Sequence, residues 1–297
     1  MDYYLYHDES KKHGYWHGML LVPKETRHIL LQKIQEIREN NRFEHVVNFK
    51  NVKKKNRVFY TNNSFLQVGI AALVQNFKGS KYPIYLGKRT KGDKDYEFFE
   101  DMVGAKFILF RERDNLKEMS DILDYGGKVE TTMRMGLKGG IHFLGDENNP
   151  ININRIHFDG HEHYQRNVDP ERLIERFTDM RSYCSISNSE NIIDDRSSKH
   201  DQDNSQDYDD CQLLQLTDVM VGSFRYLLTP ESNEVYHELT MPAKKIVERY
   251  LKGKARMQNS RWNNSISISE CYLENGNWQF ETLDFQLQEA DNQQELF

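Results

Sequence analysis

The chain has 297 residues, 37% hydrophobic and 12% aromatic, with a formal net charge of −6. That apolar content excludes a disordered chain, and no run of about 18 apolar residues offers a transmembrane span. The N-terminus shows no basic, apolar and small-residue leader pattern, and Cys184, Cys211 and Cys271 are scattered, so the expectation is a cytoplasmic protein without a disulfide framework or structural zinc site.

"YYLYH" (3–7) reads as a strand from its aromatics, and "YWHGMLLVP" (15–23) as a second strand ended by Pro23. The short link "DESKKHG" suits a hairpin, with Asp8 and Glu9 just past the first strand. Apolar residues at 29, 30, 34 and 37 predict a helix that stops near Asn40 and Asn41. "HVVNFKNV" (45–52) is expected as a third strand, with a basic cluster beyond it, and "NNSFLQVGIAALVQNFKG" (62–79) as a buried helix. "KYPIYLGKR" is a short strand.

Residues 95–144 are expected as an inserted helical segment broken by "YGG" at 125–127, with "AKFILFRER" open to helix or strand. "ININRIHFDG" (151–160) is strand-like and ends in Asp159 and Gly160. "DPERLIERFTDM" (169–180) has Asp169 as helix cap and Pro170 at the first helical position. Residues 194–210 hold seven Asp against one Arg and one Lys and are expected as an acidic loop. Helices follow at 211–228 and at 242–252, the second with Pro242 near its start. An alternating pattern around "ENGN" predicts a C-terminal β-hairpin over 265–287. The order is that of an α/β fold, taken as a single domain over 1–297.

Three acids stand at the ends or faces of these elements: Asp8, Asp159 and Asp218. Hard cations such as Mg²⁺ or Mn²⁺ take carboxylate oxygens, and a two-metal site needs several acids converging from separate elements. Each acid also has a bland reading. Asp8 and Asp159 fit turn chemistry, and Asp218, close to a buried stripe, could be satisfied by Arg225 or a backbone amide. His157 reads as a sheet or core residue, and His161 or His163 could serve as a local acid–base or phosphate-contact group. There is no Walker loop or dinucleotide-binding glycine motif.

Taken together, "YLYHDES", "NFKNVKK", "RIHFDG" and "LLQLTDVMVGSFRY" resemble the bacterial and phage domain-of-unknown-function 3800 family over roughly residues 1–230. The resemblance implies a ribonuclease H-like mixed β-sheet flanked by helices, with acidic metal-binding residues. Carried over, Asp8, Asp159 and Asp218 would be the metal ligands, Gln215 would stand one turn before Asp218, and Glu9 would face the metal or organise the turn. The family often carries Glu-x-Lys in its third strand; here Asn48-Phe49-Lys50 stands in that place. The fourth ligand is therefore open among Glu44, Glu130, Glu162 and Asp210.

The function expected on that basis is metal-dependent phosphodiester hydrolysis of DNA or RNA, in phage defence or mobile-element biology. Lys50, Lys53, Lys54, Lys55 and Arg57 would neutralise phosphates, unless they are a solvated loop. Tyr60 beside them could stack on a base, whereas Phe59 suits the core. The competing expectations are a catalytically weak nucleic-acid-binding module and a subunit of a defence complex with a protein partner.

Overall fold

β1 (Asp2–Ser10) and β2 (Tyr15–Pro23) form an antiparallel hairpin with Leu5 opposite Leu21, Asp8 opposite Gly18 and Ser10 opposite Trp16. Asp8 and Glu9 therefore lie inside the ladder, not beyond it. The turn is made by residues 11–14, where His13 (φ 56°) and Gly14 (φ 109°) are left-handed. The computed structural model describes residues 1–74, 82–87, 95–99, 103–113, 125–141, 144, 148–159, 169–177, 184–186, 192–195, 205–229, 231–254, 265–275 and 277–282.

The remaining strands are β3 (Tyr82–Gly87), β4 (Asp95–Phe99), β5 (Lys106–Glu112), β6 (Ile151–Asp159), β7 (Cys184–Ile186), β8 (Ile192–Asp195), β9 (Ile266–Glu274) and β10 (Asn277–Thr282). Among the described residues, eight strands make one mixed sheet in the order β10-β9-β5-β2-β1-β6-β7, with β8 also on β6. β7 pairs with Ile151–Ile153 and β8 with the stretch from Ile156 to Asp159, so the two share one edge of β6. β2 is antiparallel to β1 and β5, whereas β6 is parallel to β1, and β7 and β8 are parallel to β6. β3 and β4 form a separate two-stranded sheet.

Helices α1 (Arg27–Asn41), α2 (Arg57–Val74), α5 (Ser205–Leu228) and α6 (Glu234–Lys254) pack on one face of the sheet against Tyr6, Leu20, Val22, Phe107 and Leu109. α3 (Tyr125–Ile141) and α4 (Pro170–Arg176) cover the other face, against Leu5, Met19, Leu21, Ile108 and Phe110. Both faces are buried, so the central strands carry near-continuous apolar runs, and "KFILF" is one of them. Opposite Tyr3 and Tyr4 of β1, β6 bulges, and Asn154 has no ladder partner on β1. That extra residue lets Ile153 and Ile156 share one core although they are three apart.

Several expectations change here. The segment 95–144 is not a helical insertion: it contains β4, the central strand β5 and α3, which begins at the "YGG". Residues 45–52 form no strand; the chain makes a single 3-10 turn, Phe49–Asn51. α2 begins at Arg57, five residues earlier than expected. The acidic stretch is not one loop, because Asp194 and Asp195 end β8 and residues 205–210 open α5. α6 starts at Glu234, where the Asn233 side chain accepts from the Val235 and Tyr236 amides, and Pro242 lies within it. The Asp169 cap of α4 and the β9–β10 hairpin are as expected. Among the described residues no helix is long and apolar enough to cross a membrane.

Candidate functional site

The parallel strands β1, β6 and β8 run side by side, and each reaches an acid near its C-terminal end. His7 pairs with Phe158, so the backbone of Asp159 is the next step along β6, level with Asp8. On its other side Asp159 pairs with Asp195 of β8. Asp8, Asp159 and Asp195 thus form a row of backbone positions across three neighbouring strands. The side chains of Asp159 and Asp195 lie outside the described residues.

α5 crosses this end of the sheet. Gly18, opposite Asp8, lies directly under Val221: a Cβ there would come within 1.9 Å of Val221 Cγ2. Only glycine permits that approach. Asp218 stands one turn before Val221 and accepts a hydrogen bond from the Phe49 amide at 2.7 Å. Gln215 stands one turn earlier still and accepts from the Val47 amide at 2.8 Å. One face of α5 therefore holds two amides of one segment, two residues apart. Arg38 completes the brace, donating to Gln212 (2.5 Å), Gln215 (2.7 Å) and the carbonyls of Phe43 (3.1 Å) and His45 (2.9 Å). Burial lowers the Arg38 guanidinium to about 10. These bonds occupy backbone groups that a strand would have given to a neighbour, which is why residues 45–52 do not join the sheet.

A cleft of about 110 Å³ opens beside Asp218, lined by Glu9, Ser10, Lys12, Lys50, Asp218 and Arg225 among others. Phe49 is seated by Gly222, where a Cβ would meet its ring at 2.3 Å. Lys50 is exposed; its amide donates to Asn48 Oδ1 at 2.8 Å and its carbonyl accepts from Tyr236 Oη at 3.2 Å. The Asn48 side chain is thus occupied as a turn cap. Glu9 is held by the Tyr15 hydroxyl and by Lys11 at 3.3 Å.

The basic segment divides. Lys50 reaches the cleft, and Lys53 and Lys54 are exposed. Lys55 pairs with Glu238, and Arg57 donates to the Arg42 carbonyl at 3.3 Å. Tyr60 is 41% exposed and Phe59 is buried.

The other acids considered as ligands sit elsewhere. Glu130 is fully buried between Arg172 (2.8 Å) and Arg176 (3.1 Å), beneath the α3 face. Asp210 accepts from Tyr6 Oη (2.8 Å) and Arg27 (2.6 Å), next to His157, which stacks on Tyr6. Glu44 is exposed. Glu162, His161 and His163 fall outside the described residues. Among the described residues, no group of three His, Cys, Asp or Glu is arranged to hold a metal ion.

Sequence reasoning missed Asp195, although "NIIDD" repeats the apolar-then-acid pattern of "RIHFD". It also missed a buried chain behind β1: His7 Nε2 lies 3.2 Å from His17 Nδ1, and His17 Nε2 lies 3.2 Å from Glu112 and 3.1 Å from Thr132. Burial, then the neighbouring His17, lowers His7 from 6.5 to about 3, against an opposing pull from Glu9. A histidine kept neutral in the fold binds fewer protons than in the unfolded chain. Its contribution is therefore fully present above pH 6.5 and is lost as pH falls toward 3. Stability should decline with acid by up to about 1.4 kcal/mol per pH unit from this group. His7→Gln should flatten that limb, read as unfolding free energy against pH; an unchanged limb would remove His7 as its source.

Comparison with known protein families, curated proteins and solved structures finds no match for this chain.

Proposed function

We propose that the chain is a ribonuclease H-like, divalent-metal-dependent nuclease related to the domain-of-unknown-function 3800 proteins that its motifs resemble. The observation that carries the reading is the meeting of Asp8 and Asp159 at the ends of adjacent parallel strands, crossed by the helix that bears Asp218. The sheet path β5-β2-β1-β6-β8, with antiparallel strands followed by parallel ones, supports it. Carboxylate oxygens are the donors that Mg²⁺ and Mn²⁺ prefer, and Asp8, Asp159 and Asp218 would hold them. When bound, such ions supply an activated water and stabilise the leaving oxygen of a phosphodiester. Lys50, at the cleft, would neutralise a phosphate of the bound strand, and exposed Lys53 and Lys54 would extend that contact. Lys55 and Arg57 are engaged within the fold and contribute less. The setting that fits is the cytoplasm, in phage defence or mobile-element biology.

A second reading, a nucleic-acid-binding or defence-complex subunit with weak catalysis, is favoured by Asn48. It replaces the acid of the family pattern and caps a turn instead of adding a charge. The test is cleavage of single- and double-stranded DNA and RNA with Mg²⁺ or Mn²⁺. Cleavage should require the metal and fall at least about a hundredfold in Asp8→Asn, with the thermal transition retained. Nucleic acid bound but never cut would select the second reading, and cleavage unchanged in Asp8→Asn would dismiss the site.

A further inference from the structure

Two cationic side chains and an imidazole converge on one carboxylate beside the cleft, which Lys12 and Arg225 line. Glu231, in the loop between α5 and α6, pairs with Lys12, with His13 Nε2 at 3.2 Å and with Arg225 Nη1 at 3.1 Å. Lys12 and His13 come from the β1–β2 turn, and Arg225 from the last turn of α5. Both supports are rigid. The His13 carbonyl accepts from Trp16 Nε1 at 3.3 Å and from Arg111 at 3.1 Å. The Tyr226 hydroxyl shares its one proton between the carbonyls of Glu231 (2.7 Å) and Asn233 (2.9 Å).

An ordinary surface staple does not account for Arg225. The residue is 3% exposed, its Nε is buried with no hydrogen-bond partner among the described residues, and it lines the same cleft as Asp218 and Lys50. A buried guanidinium with a spare donor suits an oxyanion that offers more acceptors than one carboxylate supplies. Lys12 also lines the cleft. Glu231 reaches Lys12, His13 and Arg225 from a loop, so rotation of its side chain exposes them without moving either support.

We propose that Lys12, His13 and Arg225 form a phosphate-binding subsite at the cleft mouth, and that Glu231 fills it as an internal carboxylate which an incoming phosphate displaces. The subsite rests on the proposed function only for the source of that phosphate, the backbone of a bound nucleic acid.

The full chain, Glu231→Gln and the double variant Glu231→Gln with Lys12→Gln are compared by thermal unfolding, in inorganic phosphate against chloride at equal ionic strength. Lys12 is half exposed, so its replacement leaves the fold intact. Phosphate should raise the melting temperature of Glu231→Gln more than that of the unaltered chain, and the second substitution should cancel the gain. Equal phosphate shifts in the unaltered chain and Glu231→Gln would overturn the subsite. A fluorescent single-stranded oligonucleotide, titrated without divalent metal, should bind Glu231→Gln about tenfold more tightly, with a salt slope steeper by about 0.7. A phosphate response with no oligonucleotide binding in any form would uphold the subsite and refute the nucleic-acid reading.

Discussion

Asp218→Asn is expected to remove metal-dependent cleavage while leaving the fold nearly intact, whereas Asp218→Ala should damage both. Under the proposed function the carboxylate would have two jobs that chemistry can separate. Its Oδ2 accepts from the Phe49 amide, and an asparagine oxygen accepts the same bond. Losing the charge weakens that bond and costs about 1 kcal/mol. Alanine leaves the Phe49 amide without its acceptor, at a cost of about 1–3 kcal/mol. As a metal ligand, however, a neutral amide is a poor replacement for a carboxylate, so both variants should lose at least about a hundredfold in rate. Urea unfolding and a metal-dependent cleavage assay on the same preparations separate the two effects. Full activity in Asp218→Asn would confine Asp218 to bracing the Phe49 turn.

The largest stability loss is expected at Arg38. Its guanidinium serves four acceptors that tie α1 to α5 and to the 43–45 segment. Arg38→Met fills much of the space but leaves the Gln212 oxygen and two carbonyls to find other donors, while Gln215 keeps only the Val47 amide. The desolvation that lowers the Arg38 guanidinium is relieved at the same time, which offsets part of the loss. The net should be about 2–4 kcal/mol, seen as a lower urea midpoint with an unchanged slope. Arg38→Lys should recover little of it, because an ammonium cannot reproduce the planar fork. Loosening this brace also frees Val47 and Phe49, so under the proposed function nucleic-acid affinity should fall along with stability. A variant within about 0.5 kcal/mol of the unaltered chain would show that the brace is dispensable.

The parts of the fold legible in the sequence are those whose cause is local. Pro170 behind Asp169 announces α4, and "ENGN" announces the β9–β10 turn. Aromatic and apolar runs, Pro23 and a short link give the β1–β2 hairpin. The segment 45–52 misleads because its β-branched and aromatic residues suit a strand, while its backbone partners include Gln215 and Asp218, far away in sequence, and the Arg38 side chain of the preceding helix. "KFILF" is ambiguous because a strand buried on both faces loses its alternation. Asp195 was hidden by the acidic run around it. The pairing of Arg225 with Glu231 instead of Asp218 has no signature in spacing, since either acid lies within reach along the chain. Asp8 and Asp218 were visible as chemistry, but the contact that relates them, Val221 over Gly18, depends on how α5 lies across β2.

Gly18 brings no charge and no donor, yet its missing side chain fixes how low α5 rides over the hairpin. The separation between an acid on the strand and an acid on the helix is thereby set by a residue with no side chain of its own. Cations differ in radius and in tolerance of irregular coordination, with Mg²⁺ demanding oxygens at about 2.1 Å and Ca²⁺ accepting about 2.4 Å. Under the proposed function, ion-size selectivity becomes a property of the hairpin: a methyl group at position 18 would lift the helix and shift preference toward larger ions before it abolished binding.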